Sequence, residues 1–356
     1  MPFPLRFLLP LASGLALFSI LTLTTTDAGS IQGSNNRPIF QEPRQSQAQN
    51  ESSAAAQAEA AQLSVRVVKL FNEGKYDEAL PIAKRALDLR ERALGTDHEI
   101  VQGALLNLIE IYTAKKKYGE AQKLVERLLR THEKTVGPED AGAAVILDKL
   151  AFLTYVQGDF SKSEAAYQRA LAIREKVFGP NRSEFATSLY MLAEFYRFTG
   201  QFKDAEPLYE RSAILRRTLL GREHQDYLKS RDGYFCVVYE THQEKKLRDF
   251  EERLGDSDGT RADVFAGAVL NGRAISLPKP SYPEAARRAR AQGTVIIKVT
   301  IDGGGDVIAA SDMCGGNPVL VKSSLQAARA ARFTPTMLSG QPVKVTGVIT
   351  YNFVAR

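Results

Sequence analysis

The sequence predicts two fold classes in series: a right-handed solenoid of paired α-helices and, behind it, a small α+β domain with a three-stranded antiparallel sheet. The solenoid rests on a period. Gly74, Lys116, Gly158 and Gly200 are each 42 residues apart, as are Tyr76, Tyr118, Phe160 and Phe202, then Ala79, Ala121, Ser163 and Ala205, and finally Gly95, Gly137, Gly179 and Gly221. A fixed period of this kind marks stacked supersecondary units that bury their apolar faces on one another. The α+β domain rests on alternation, because Val295, Ile297, Val299 and Ile301 fall on one face of a strand and Thr294, Ile296, Lys298 and Thr300 on the other.

At the N-terminus, Arg6 precedes an apolar run from Phe7 to Leu23, 17 residues interrupted by Pro10, Ser13, Gly14 and Ser19. That is short for a spanning helix, and Thr26, Asp27 and Ala28 offer a small-residue cleavage site. Residues 1–28 therefore read as a signal peptide or a signal anchor, and both readings imply export. Residues 29–62, rich in Gln, Ser, Ala and Asn, lack the large apolar residues a core needs and read as a flexible linker running into a helix.

Residues 63–254 carry the array. Each unit pairs two amphipathic helices, the first with Leu105, Leu108 and Tyr112 in one copy and Leu189, Leu192 and Tyr196 in another, the second with Leu87, Leu129 and Leu171. The small residue of the Ala79 series lets paired helices approach, and the Gly95 series supplies C-cap signals. Pro81 and Pro207 are expected in the first turn of the second helix. His98 and His224 share one repeat position with Asp140 and Arg182, which argues for a loop or cap role over metal binding. Four full repeats reach Gly221; an imperfect fifth, His224 to Leu254, ends in a charged capping helix. With Gly179-Pro180 and Ala205-Glu206-Pro207-Leu208-Tyr209, the array resembles tetratricopeptide repeats of the kinesin light chain type. That resemblance implies a concave groove for a peptide or partner helix. The asparagine ladder of such grooves is broken, since Asn107, Lys149, Met191 and Gly233 stand at the corresponding positions, so spacing and peptide capture both remain open.

Residues 255–267 read as a second linker, and 268–356 as the terminal domain. Pro280, Tyr282 and Pro283 give a stiff, non-helical lead-in. Glu284 to Ala291 follows as a helix stopped by Gly293, then the strand to Ile301, a glycine turn at 302–306 and a return strand from Val307 to Asp312. Asn317 and Pro318 open a helix running to about Arg332. The last strand, Val343 to Phe353, places Val343, Val345, Ile349, Tyr351 and Phe353 on a core face, with Lys344, Thr346, Thr350 and Asn352 on a wet one. Pro280, Tyr282, Pro283, Ala286, Gly293, Val295, Phe333, Pro335 and the closing Gly347 to Phe353 strand make the domain similar to the C-terminal domain of TonB.

The resemblance implies that the last strand is a sheet edge offering Val343, Lys344, Val345, Thr346, Val348, Thr350 and Asn352 to an extended segment of a partner. It implies an outer-membrane TonB-dependent transporter or another periplasmic protein as that partner. ExbB and ExbD would be partners only if the N-terminus stays anchored in the inner membrane. The histidine of the family's anchor helix and its proline-rich spacer are both absent from this sequence. A membrane-anchored energy transducer and a self-associating scaffold are the other readings.

Net charge is +6, and residues 268–356 alone carry eleven Lys/Arg against four Asp/Glu, so the basicity belongs to the terminal domain. Arg287, Arg288 and Arg290 read as a solvated helix face or as steering towards an acidic partner, and no nucleic-acid motif accompanies them. His132-Glu133 is followed by Val136 where a zinc protease needs its second histidine, and Gly303 to Gly305 lacks the Gly-Lys-Ser/Thr of a phosphate loop. No catalytic residue, metal or cofactor is expected. Cys236, flanked by Phe235 and Val237, is expected to be buried, and Cys314 to lie exposed in the Met313 to Gly316 loop. An oxidising compartment would allow the two to pair, but with the cysteines in different domains no disulfide is expected.

Overall fold

The computed structural model describes residues 44–241, 243, 245–254, 273–288, 290–338 and 340–354. The signal or anchor segment at 1–28 and the second linker at 255–267 lie outside the described residues. The chain is a solenoid of helical pairs followed by a region of small antiparallel sheets. It divides into two compact units, Met1–Ile173 and Arg174–Arg356.

The first unit opens with helix α1, Arg44–Asn72. This corrects the expected linker over residues 44–62. The stretch is rich in Ala, the strongest helix former, and Ala60, Val67 and Leu70 form one buried stripe, so tertiary packing supplies what the sparse apolar content of 29–62 does not. Helices α2 (Tyr76–Leu94), α3 (Glu99–Ala114), α4 (Tyr118–Thr135) and α5 (Ala141–Val156) follow, and α6 (Phe160–Phe178) carries the chain into the second unit. Ala79, Ala121 and Ser163 are fully buried, as their place at the helix approach requires. Gly74 and Gly158 adopt left-handed φ values of 74° and 86°, and Lys116 does the same at 57° without the steric freedom of glycine. Pro81 lies inside α2, past its first turn. The helix starts directly after Lys75, so the proline ring removes one interior N–H. Successive second helices are laced by ion pairs: Arg127 with Glu91, Lys162 with Glu126 at 2.6 Å, and Arg169 with Glu133 at 2.6 Å.

The second unit continues with α7 (Ser183–Phe198), α8 (Phe202–Leu220), α9 (Gln225–Glu240) and α10 (Lys245–Arg253). Pro207 is likewise interior to α8. The charged α10 buries Leu247 and sets Phe250 against Tyr234 and Phe235 of α9, while Lys246 pairs with Glu206 and Arg253 with Glu210.

Strand β1 (Ala274–Ser276), helix α11 (Glu284–Arg288), strands β2 (Gly293–Ile301) and β3 (Val307–Asp312), helix α12 (Pro318–Arg329), and strands β4 (Arg332–Phe333), β5 (Thr336–Leu338), β6 (Gln341–Val343) and β7 (Val345–Phe353) complete the unit. The three-stranded sheet has the order β3-β2-β7, all antiparallel. Val295, Ile297, Val299 and Ile301 pack with Val345, Ile349, Tyr351 and Phe353 against Leu320, Ala327 and Ala328 of α12. Helix α11 ends before Ala291 because Arg290 takes a left-handed φ of 47° and the Ala291 N–H returns to Ala286 O at 2.9 Å. Asn317 caps α12 through Val319 N–H as expected.

Two ladders, β1 with β4 and β5 with β6, were not expected. The second corrects the last strand. Val343 pairs with Thr336 in the β5–β6 hairpin, and Lys344 stands between β6 and β7, so neither residue belongs to β7. Ser339-Gly340, a turn dipeptide, was the available signal.

Candidate protein-interaction sites

The lead-in residues do structural work beside β7. The Tyr282 ring meets Phe353 edge-on at 5.7 Å and its hydroxyl donates to Ala291 O, so it pins the start of the domain to the end of the last strand. Pro283 O accepts the Arg287 N–H at 2.9 Å and starts α11. Ser323 Oγ on α12 donates to Ser281 O at 2.6 Å, next to Pro280. Gly293 opens β2 at a φ of 136°. Opposite, Gly305 packs backbone to backbone on β4: Phe333 N–H donates to its carbonyl at 2.9 Å, and a Cβ there would stand 1.9 Å from Phe333 O.

The edge follows from register. Met313 N–H donates to Ile296 O at 3.1 Å, so the backbone groups of Ile296 point towards β3. By alternation those of Val295, Ile297, Val299 and Ile301 point to β7, where their partners are Tyr351, Ile349, Gly347 and Val345. The intervening residues Thr346, Val348, Thr350 and Asn352 therefore direct their N–H and C=O groups away from β2. Among the described residues no strand pairs with that side of β7. Thr350 and Asn352 are exposed and Thr346 and Val348 half-buried.

The face expected to be wet is not wet throughout, which is a second correction. Ile296 is 1 % exposed and clusters with Cys236 and Cys314, joined by Tyr239, Met313 and Val348. Lys298 Nζ lies 3.5 Å from Asp232 Oδ2, and burial pulls the Lys298 ammonium pKa down. Helix α9 thus covers the middle of the outer face. Cys236 and Cys314 form a disulfide, with Cα atoms 5.3 Å apart, so Cys314 is neither free nor exposed. Sequence could supply the two thiols but not their approach across 78 residues of chain.

A buried polar group sits beside this junction. Arg197 donates from Nη1 to Cys314 O at 2.6 Å, from Nε to the Tyr209 hydroxyl at 3.0 Å and from Nη2 to Glu194 at 3.1 Å. Tyr209 also donates to Glu194. Burial alone would lower the guanidinium pKa, but Glu194 and then Tyr209 outweigh it and raise it. Burial and the Glu194 charge push the Tyr209 phenol far up, so it stays a donor. Burial raises the Asp312 carboxyl against the opposing N–H groups of Cys314 and Gly315.

The groove candidates are scattered in role. Lys149 is paired with Glu110, Asn107 and Met191 are half-buried, and Gly233 is excluded from carrying a side chain, because a Cβ would lie 2.3 Å from the Tyr209 ring. Of the loop and cap roles open to the four-residue series, three copies take the cap. His98 accepts from Ile100 N–H, Asp140 from Gly142 N–H and His224 from Asp226 N–H, while Arg182 supplies no cap bond. His132, of the failed zinc motif, bonds Asp140 at 2.9 Å and Gln102 at 3.1 Å. Arg287 and Arg288 are exposed, the latter paired with Glu284.

Comparison with known proteins agrees with both halves. Residues 278–355 match the family model of the Gram-negative bacterial TonB protein C-terminal, and residues 70–99, 100–176 and 142–218 match tetratricopeptide repeat models. The chain therefore joins a TonB-type C-terminal domain to a tetratricopeptide array, and both are protein-interaction domains. Among solved structures it is similar to a variant of a kinesin light chain protein with nearly identical repeats from Podosopora anserina, at 19 % identity and a TM-score of 0.49, covering 56 % of this chain and 94 % of that one. It is also similar to BtubC from P. vanneervenii, at 19 % identity and a TM-score of 0.49, covering 63 % and 96 %. No curated protein matches the sequence. Among the described residues no helix is long and apolar enough to cross a membrane, and no cluster of side chains could hold a metal ion.

Proposed function

We propose that the chain is an exported envelope adaptor whose C-terminal domain takes an extended partner segment as an added strand on β7. The partner class is an outer-membrane TonB-dependent transporter or another periplasmic protein, with residues 63–254 as a scaffold or spacer for a second protein. The observation that carries this reading is the outer side of β7, where Thr346, Val348, Thr350 and Asn352 direct backbone groups that no strand among the described residues pairs, along a strand fully in register with β2 on its other side. Main-chain bonds supply affinity in such a mode, and alternate side chains supply selectivity. These four residues offer up to eight main-chain bonds, and at roughly 1 kcal/mol net for each a fully paired strand only just reaches the roughly 8 kcal/mol of a micromolar complex before the ordering cost of association is subtracted. The contact is weak and reversible. The Cys236–Cys314 disulfide supports an oxidising compartment for the folded chain.

Thr350→Pro tests this directly. The Thr350 N–H faces the open side, so proline removes a donor from the partner while sparing the β2 pairing. Binding to immobilised extended peptides from the periplasmic ends of outer-membrane transporters should weaken at least tenfold, with Thr350→Ala close to unchanged and circular dichroism the same for all three chains. Equal binding by Thr350→Pro would remove strand addition as the mode.

A further inference from the structure

The 42-residue period places Asp232, Cys236 and Tyr239 at the same helix positions as Tyr190, Glu194 and Arg197 one repeat earlier. Most of these residues serve one purpose. Asp232 pairs with Lys298, Cys236 is bonded to Cys314, Tyr239 packs with the cluster containing Ile296 and Val348, and Arg197, held by Glu194, donates to Cys314 O. The same face of α7 and α9 thus meets one occupant, the outer face of the C-terminal sheet together with the loop after β3. We propose that this repeat face is a docking surface for the chain's own C-terminal domain, and that Cys236–Cys314 is the latch whose redox state decides whether the domain stays docked.

The composition of the contact is why the latch decides. Its apolar part is a small cluster around Cys236, Ile296 and Cys314, whereas the domain has a separate and larger core of its own that buries the inner face of its strands without the repeats. The rest is polar: a half-buried Lys298 and Asp232, and a guanidinium on a carbonyl, groups that give up water in docking and regain it on release. A weak non-covalent surface and one covalent bond make a latch.

Opening it takes a dithiol reductant. One of its thiolates attacks the sulfur of Cys314, the less buried residue of the two at 8 % exposed against 1 % for Cys236, and forms a mixed disulfide while the Cys236 sulfur leaves. The second thiol then displaces Cys314. Two electrons and two protons pass to the two cysteine sulfurs, and the reductant departs as its own disulfide.

Lys298 reports the state, because docking pairs and half-buries it while Lys322 and Lys344 are exposed in any state. The full chain, oxidised and after reduction with excess dithiothreitol, is acylated with an amine-reactive ester, and each lysine is quantified by mass spectrometry. Labelling of Lys298 relative to Lys322 and Lys344 should rise threefold or more on reduction, and equally in the oxidised-buffer double variant Cys236→Ser with Cys314→Ser. The Asp232→Asn chain, with its latch intact, should stay within threefold of wild type. A change below threefold in the reduced wild-type chain overturns the latch, and so does a threefold rise in Asp232→Asn. The reduced wild type carries the test if the double variant does not fold, and none of these readouts depends on strand addition at β7.

Discussion

Glu110 in the first unit and Glu194 in the second occupy the same position of the repeat, two periods apart, and have opposite surroundings. Glu110 is a third exposed and answers Lys149 across neighbouring repeats, whereas Glu194 is 5 % exposed and is bonded by Arg197 and Tyr209 beneath the Cys314 carbonyl. The scaffold is common to both, and the desolvation is not. A repeat fixes where a side chain stands; what covers that side chain fixes what its charge is worth.

The largest expected effect breaks this comparison. Glu194→Gln leaves the Arg197 guanidinium buried without its carboxylate and should cost about 3 kcal/mol in chemical denaturation of the second unit. Glu110→Gln should cost under about 1 kcal/mol in the first. Equal losses would mean that burial does not separate the two sites. Next comes Gly233→Ala, whose new Cβ would stand 2.3 Å from the Tyr209 ring; overpacking of this kind should cost about 1–3 kcal/mol, while Asn107→Ala at the equivalent position stays within about 0.5 kcal/mol.

The smallest effects sharpen the cap series. Asp140→Ala should lose about 1 kcal/mol, and Arg182→Asp, which creates the cap that α7 lacks, should gain roughly half that or more. Asp140 also carries a pH signature. Its hydrogen bond to His132, with the Gly142 N–H adding, holds its carboxyl below the usual range. The folded pKa is therefore below the unfolded one, and the stabilisation is fully present above roughly pH 3.9 and lost as pH falls through the lower folded value. The stability gap between wild type and Asp140→Asn, which keeps a capping oxygen, should close over that acidic window in a urea series.

Where a period or an alternation constrains many residues at once, the sequence was legible. The Gly95 series, the small residues beside Ala79, the Asn317 cap and the strands of the three-stranded sheet need only local chain geometry. The groove candidates were less so, because Gly233 is dictated by the Tyr209 ring of the preceding repeat rather than by any ligand. Alternation alone set Ile296 on the face opposite Val295, and alternation says that two faces differ but not that both can be covered.

Sequence by itself therefore determined the repeat, its helical pairs and the three-stranded sheet, since helix and strand periods, caps and turns act over a few residues. Tertiary structure decided that residues 44–62 join the first helix, that Val343 leaves the last strand, and that Cys236 meets Cys314. Each of those depends on which surface closes over a residue from elsewhere in the chain, and burial, unlike periodicity, is a property of two segments at once.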